Sequence, residues 1–291
     1  TATLNGPLQA LGSIKLDGNY PTGDRNVALG DTALDSVEAG GTDNTVIGSS
    51  AGTQTTTGDR NTVYGSDAYR CNATASDNTA FGYQAMFCNT SGHNNIAVGN
   101  ALCKNESGLY NVAIGSGALS SNTTASANVG IGRLALTTNT TGANNVAIGC
   151  CALKSNTTAA NNVAVGHDSL KVNTTASNNT AVGCGAGAAN TTGVSNTAVG
   201  HAALNDNTTA SNNTALGMNS LALTTTGCQN TAVGAGAMDT NSTGDNNVAV
   251  GFSALDANTT ADNNTAVGHS ALKANTSGAN NTAIGQAALC T

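Results

Sequence analysis

The strongest constraint on the fold is a short phrase of the type Asn-x-Ala-Val-Gly, which returns sixteen times between Asn26 and Gly285. Successive closing glycines lie 17 residues apart, except for one spacing of 18 and one of 16. The Asn that opens the phrase and the Gly that closes it are present in every copy. Self-similarity at a fixed period is the signature of a repeat architecture.

Each phrase predicts a short β-strand, because its side chains alternate between two faces. Val163 and Val165 fall on one face, and Asn162 and Ala164 on the other. Gly, Asn and paired Thr interrupt every unit and disfavour a helix. Leu170 follows the strand and is expected to close a thin core from the opposite wall. The Asn-Thr-Thr segment after it has the composition of a turn.

One strand in each unit cannot bury its own apolar face, whereas stacked copies can. The sequence therefore predicts an all-β fold, a repetitive parallel β-solenoid (β-roll or β-helix) of about sixteen 17-residue rungs. Like residues then stack on like residues, and amide side chains can form a ladder. The closing Gly is expected to need a positive φ or a close backbone approach. The predicted structural ladder comprises Asn162, Gly166, Asn179, Gly183, Asn196 and Gly200.

The extent of the repeat predicts two segments in the chain. Residues 26–291 are assigned to the β-solenoid repeat domain, and residues 1–25, which lack the repeat, to an N-terminal lead-in or capping segment. Capping is expected because the end of a solenoid exposes a strand edge. The last unit stops at "NTAIGQAALCT", which indicates that the repeat domain is C-terminally incomplete.

Composition excludes several classes of function. Only 9% of residues are charged, the net charge is −7, and the nine Lys and Arg are spread singly, whereas a nucleic-acid surface needs clustered basic residues. No apolar run approaches the roughly 18 residues of a membrane span. The acidic residues form no recognisable catalytic constellation. We therefore predict no enzymatic activity, no cofactor, no nucleic-acid partner and no membrane insertion.

The phrases "NNVAIG" and "NNTAVG", and the longer unit "NNTAVGHSALKANTSGA", resemble repeats of bacteriophage tail fibres and related virion fibres. The short phrase is also similar to the head repeats of trimeric autotransporter adhesins, in which the unit is usually shorter. The resemblance covers residues 26–291. It implies a parallel homotrimer in which the small Ala position lets three chains approach one axis. Rods of this type occur in proteins with several different functions, so the resemblance is more specific for fold than for function.

The leading functional hypothesis is a structural fibre shaft or receptor-binding fibre segment at the surface of a virion, attaching to a host through multivalent contacts. Its expected partners are copies of itself, virion or cell-surface neighbours, and a host surface receptor such as a polysaccharide. The alternative is a bacterial trimeric surface adhesin or another extracellular filament protein. A third hypothesis, an ice- or polysaccharide-binding solenoid, rests on adjacent hydroxyl residues such as Thr123 and Thr124, only one of which can lie on a flat surface.

Three of the four histidines, His167, His201 and His269, share the position after a closing Gly. His167 and His201 are two rungs apart, roughly 10 Å at strand spacing. This distance is too long for a shared metal ion within one chain, although three copies of one His could meet on a trimer axis. The variety of residues at this position favours a solvated face, so no metal site is predicted.

Cys71 and Cys88 occupy one position on adjacent rungs. Their Cα atoms are expected about 5 Å apart, which is within disulfide range. They are the candidate disulfide, with Cys103 one rung further on as a competitor.

Twelve turns carry an Asn-x-Ser/Thr sequon, for example at Asn122, Asn156 and Asn258. Such sites can be glycosylated in a eukaryotic secretory route. Asn and Thr are also ordinary turn residues, and this is the preferred interpretation.

Overall fold

A computed structural model describes residues 25–38 and 40–290. The expected lead-in or capping segment, residues 1–25, therefore lies outside the described residues except for Arg25. The chain divides into two compact units, Thr1–Asn128 and Val129–Thr291. Both units are built from the same kind of rung.

The described residues form sixteen strands of three residues each and no helix. None of them accordingly lies in a helix long and apolar enough to cross a membrane. The first unit contains β1 (Val27–Leu29), β2 (Thr45–Ile47), β3 (Thr62–Tyr64), β4 (Thr79–Phe81), β5 (Ile96–Val98) and β6 (Val112–Ile114). The second unit contains β7 (Val129–Ile131), β8 (Val146–Ile148), β9 (Val163–Val165), β10 (Thr180–Val182), β11 (Thr197–Val199), β12 (Thr214–Leu216), β13 (Thr231–Val233), β14 (Val248–Val250), β15 (Thr265–Val267) and β16 (Thr282–Ile284).

Within each unit, strands that follow one another in sequence pair in parallel and in register. In the second unit, Ala181 of β10 lies between Ala164 of β9 and Ala198 of β11. In the first unit, Val46 of β2 lies between Ala28 and Val63. Each strand thus pairs with the next copy of itself, and the chain makes one coil between them. The predicted all-β parallel β-solenoid is confirmed in both units.

The chain turns sharply after each strand, at the closing Gly. Gly166 has a φ of 136°, and a Cβ added there would overlap the carbonyl oxygen of Gly183 one rung further on. A side chain at this position therefore meets two obstacles, an unfavourable backbone conformation and the neighbouring rung.

The core of each unit is thin because it is made mostly of Ala and Leu. The middle residue of a strand points inward, as at Ala164 and Ala181, which are 0% and 1% exposed. Leu153 and Leu170, from the turns between strands, are 0% and 2% exposed. This arrangement corrects one inference from the resemblance, since the Ala position is enclosed by its own chain. It cannot be the surface at which three chains approach an axis.

Candidate functional site

The outward face of the strands forms a uniform surface in each unit. We call the first and third residues of every strand in a unit the outward ribbon of that unit. Its residues are Val, Thr, Ile, Leu, Tyr or Phe, and no strand contributes a charged side chain. Several are well exposed, among them Phe81 (52%), Val182 (37%) and Leu216 (46%).

The geometry of the outward ribbon is regular because the strands are in register. Identical positions recur about 4.8 Å apart along the unit, and the two positions of one strand are about 7 Å apart. Side chains of neighbouring strands touch, as shown by the stacked rings of Tyr64 and Phe81, whose centroids are 5.1 Å apart. The ribbon is therefore a flat, uncharged surface of closely spaced methyl groups, hydroxyl groups and rings.

Inside each unit, the Asn that precedes each strand forms what we call the strand column. The backbone N–H of Asn179 donates to Oδ1 of Asn162 (2.9 Å), and that of Asn196 donates to Oδ1 of Asn179 (2.9 Å). Nδ2 of Asn179 donates to the carbonyl of Gly193 (3.0 Å). Asn162, Asn179 and Asn196 are at most 4% exposed, and their amides are used within the chain. Their role is structural.

A second buried column escaped the sequence analysis. The Asn of the Asn-Thr-Thr segment also points inward, and we call these positions the turn column. Nδ2 of Asn156 donates to Oδ1 of Asn139 (2.8 Å) and to the carbonyl of Ala159 (3.0 Å). The signal was present in the sequence, because this Asn lies seven residues after the closing Gly in every copy that has it except one, where Asn105 lies six after Gly99, while the residues before it vary.

Burial of the turn column also bears on the sequons. Asn122, Asn156 and Asn258 are each 0% exposed. An oligosaccharide on Nδ2 would displace its hydrogen bonds to the amide of the preceding rung and to a carbonyl of its own rung. Folded rungs therefore do not present these residues for glycosylation.

The turn column is interrupted at two positions where Thr replaces Asn. The hydroxyls of Thr55 and Thr224 are buried and have no hydrogen-bond partner. Oδ1 of Asn207, the neighbour of Thr224 in this column, is also without a partner. A Thr side chain is too short to continue the amide contact, so each interruption leaves polar atoms unpaired in the core.

The paired hydroxyl residues after the turn column differ in exposure. The first donates to the next rung, as from Oγ1 of Thr157 to the carbonyl of Thr174 (3.1 Å). The second, for example Thr158 or Thr175, is exposed. The second unit therefore presents a single file of free hydroxyls at these turns, not a double one, whereas in the first unit the hydroxyl of Ser91 donates to the carbonyl of Glu106 (3.3 Å).

The histidines predicted to lie on a solvated face do so: His167, His201 and His269 are exposed. The rings of His269 and Phe252 stack with centroids 5.4 Å apart. In the part of the chain that the structure describes, no group of three His, Cys, Asp or Glu side chains is gathered so as to hold a metal ion.

Cys71 and Cys88 are thiols in this structure. Burial, followed by the hydrogen bond and charge of Cys71, raises the pKa of Cys88 to about 11. The two thiols are thus close neighbours, and their disulfide remains a prediction. Burial also raises the pKa of Cys103, whose negative charge would act on Cys88.

No family model matches the chain, and no curated protein is similar to it in sequence.

Proposed function

We propose that the chain is a structural fibre segment of a virion, exposed on the particle, in which copies associate as a homotrimer and present host-binding surfaces. Two features support this function. The rungs are tied together by backbone and amide hydrogen bonds within each unit, which suits a stiff element under mechanical load. The repeats also resemble those of phage tail fibres along residues 26–291.

The observation that carries the proposal is the outward ribbon. Apolar surfaces of this regularity on a soluble chain mark sites of association. Charged residues occupy turn positions but none of the ribbon positions. A flat surface repeated at constant spacing is self-complementary to other copies, and burying Val182 and Leu216 between chains would remove apolar area from water.

Host attachment is assigned to exposed polar residues outside the ribbon. Thr158 and Thr175 present free hydroxyls one rung apart, and Asn161 and Asn178 present exposed amides that contact each other (Nδ2 of Asn161 to Oδ1 of Asn178, 3.4 Å). Hydroxyls and amides at constant spacing match the repeated hydroxyl groups of a polysaccharide. Individually weak contacts of this type add up when many copies act together.

Association through the ribbon is tested by the solution mass of paired Lys variants. Light scattering on the native chain is expected to give three times the chain mass of 28.3 kDa. Val182→Lys/Leu216→Lys places charges in the ribbon of the second unit and is expected to give the mass of one chain. The control, Thr175→Lys/Thr209→Lys, adds the same charges at exposed positions outside the ribbon and leaves the mass unchanged. A native chain of 28.3 kDa in solution contradicts the proposal.

The biological setting needs a separate measurement. Immunogold labelling with antibodies against residues 26–291 is expected to mark virion fibres. Labelling confined to a bacterial cell envelope contradicts the virion assignment and favours the alternative, a trimeric surface adhesin or extracellular filament.

The ribbon also favours a second candidate, binding to ice. Thr180, Thr197 and Thr214 stand in one file on consecutive strands, beside a parallel file that includes Val182 and Val199. A chain that stays single would leave this flat array open to ordered water. If the chain binds ice, the purified protein is expected to show thermal hysteresis, and the variant Val182→Lys/Leu216→Lys is expected to lose it.

A further inference from the structure

A column of metal-binding side chains lies on the second unit, at the position after each closing Gly. Its successive members are Cys150, His167, Cys184 and His201. Backbone hydrogen bonds hold these rungs in register: the residue after His167 donates to the carbonyl of Cys150 (3.0 Å), and the residue after Cys184 to that of His167 (3.0 Å). We call this set the Cys-His column.

Side chains at this position stack directly on one another. Further along the same unit, the rings of Phe252 and His269 occupy the same position on adjacent rungs, with centroids 5.4 Å apart and planes 16° apart. We expect the side chains of Cys150 and His167, and those of His167 and Cys184, to stack on adjacent rungs in the same way.

The donors are accessible. His167 has 60% of its side chain exposed, and its Nδ1 lies 3.6 Å from a carboxylate oxygen of Asp168 that accepts a hydrogen bond from Nζ of Lys171 (3.0 Å). With Nδ1 beside this carboxylate, Nε2 is the ring nitrogen assigned to the metal. Cys184 is exposed, while Cys150 is half-buried with its Sγ 3.4 Å from Sγ of the buried Cys151.

The spacing of the column selects the kind of metal ion. A linear sulfur–metal–nitrogen bridge spans about 4.3 Å, from typical bond lengths of about 2.3 Å and 2.0 Å. This is close to the rung spacing of about 4.8 Å. A tetrahedral ion needs ligands that converge from several sides, and the described residues hold no group of three that does so. Thiolate and imidazole ligands in pairs suit a soft, two-coordinate ion.

We propose that the Cys-His column binds soft monovalent d10 cations, of the Cu(I) and Ag(I) class, between adjacent rungs. Cys150 and Cys184 supply thiolates, and His167 and His201 supply Nε2. Each sulfur–metal bond replaces a sulfur–hydrogen bond, and the proton leaves to the solvent. No oxidation or reduction takes place.

In the test, silver nitrate is titrated into the reduced, full-length chain up to eight equivalents of Ag(I), one for each Cys. The side-chain resonances of the four histidines are followed by NMR. Those of His167 and His201 are expected to shift until their sites are saturated. His269 is the internal control: it occupies the same position, but its neighbours in the column are Phe252 and Gln286. Absorption spectroscopy at the silver edge is expected to show both sulfur and nitrogen ligands.

Matched variants separate the column from the other thiols. Cys150→Ser/Cys184→Ser is expected to abolish the shifts of His167 and His201, whereas Cys71→Ser/Cys88→Ser removes as many thiols from the first unit and leaves the shifts intact. Cys184→Ser alone changes an exposed residue and is expected to abolish the shift of His201. The proposal is overturned if neither His167 nor His201 responds to Ag(I), or if the shifts survive in Cys150→Ser/Cys184→Ser.

Discussion

The strand column and the turn column use the same side chain at the same one-rung spacing, yet only one of them is uninterrupted. Every one of the sixteen repeats has Asn in the strand column. The turn column has Val37, Thr55 and Thr224 at the corresponding positions. Within a single chain, therefore, the two columns have tolerated substitution to different degrees.

The difference follows from what each amide binds. Oδ1 of Asn179 accepts from the backbone N–H of Asn196, which has no other means of pairing in the core. Oδ1 of Asn173 instead accepts from Nδ2 of Asn190, which also donates to the carbonyl of Gly193 (2.9 Å). Loss of Asn179 leaves a buried backbone N–H, that of Asn196, unpaired, whereas loss of Asn173 removes amide hydrogen bonds to one side-chain oxygen and one backbone carbonyl.

The largest effect is expected from breaking the strand column. Asn179→Ala leaves the N–H of Asn196 without its partner and removes one of the two amide donors to the carbonyl of Gly193, the other being Nδ2 of Asn190. The buried unpaired N–H costs about 1–3 kcal/mol and the lost hydrogen bond about 0.5–1.5 kcal/mol, so the free energy of unfolding is expected to fall by about 2–4 kcal/mol. Urea titration measures the change. The control, Thr175→Ala at an exposed position, is expected to change it by less than about 0.5 kcal/mol, and equal losses in both variants would refute the role of the column.

A smaller loss is expected in the turn column. Asn173→Ala removes hydrogen bonds to Oδ1 of Asn156 and to the carbonyl of Ala176 but leaves no backbone N–H unpaired. The expected loss is about 1–3 kcal/mol. Asn173→Thr, which copies Thr224, is expected to unfold at a similar or slightly higher urea concentration. If Asn173→Ala is more destabilising than Asn179→Ala, the explanation for the two columns is wrong.

Repairing an interruption should stabilise the chain. Thr224→Asn supplies a donor for the unpaired Oδ1 of Asn207 and removes the unpaired hydroxyl. One restored hydrogen bond contributes about 0.5–1.5 kcal/mol. The urea midpoint is expected to rise at an unchanged slope. Thr226→Asn makes the same change at an exposed position and is expected to leave the midpoint where it is; a gain of the same size there would attribute the effect to Asn itself.

The period of the sequence was sufficient to predict the strands, their parallel pairing and the sharp turn at Gly166. These features depend on local alternation and on stacking of identical units, both of which can be read from the repeated phrase. The turn column was not predicted because an Asn-Thr-Thr segment has the same composition whether its Asn faces solvent or the core. Whether this Asn points into the core or into solvent depends on how the backbone of the whole coil closes around the core.

The backbone of Leu170 shows a second limit of the sequence. Its φ is 46°, a left-handed conformation that costs a bulky residue about 1–2 kcal/mol. Burial of the Leu side chain contributes about 1.5–3 kcal/mol and offsets that cost. Local preference alone therefore argues against the observed turn, and the tertiary structure overrides it. That Ala164 shares a face with Asn162 was predictable, but its enclosure by the same chain was not, because the resemblance had placed the Ala position between chains.

The smallest expected effect concerns a column whose side chains cannot pair with one another. An amide carries both a donor and an acceptor, so identical copies stack favourably, whereas stacked carboxylates repel. Asp239 and Asp256 share one position on adjacent rungs. Burial, and then the charge of Asp256, raise the pKa of Asp239 above its ordinary value.

Because that pKa is raised by folding, the folded chain favours protonated Asp239. The contribution of this group to the free energy of unfolding is fully present at pH values below the ordinary pKa of Asp. It is lost as the pH rises through the raised pKa of Asp239 in the folded chain. Asp239→Asn is expected to raise the free energy of unfolding at pH 7 by less than about 0.5 kcal/mol, since the pair is partly solvated, and to have no such effect at pH 3. Asp206→Asn, whose position holds Ala189 and Leu223 on the adjacent rungs, should show no pH-dependent gain. A gain in Asp239→Asn that persists at pH 3 would mean that the ionisation of Asp239, penalised by burial and by the charge of Asp256, is not its cause.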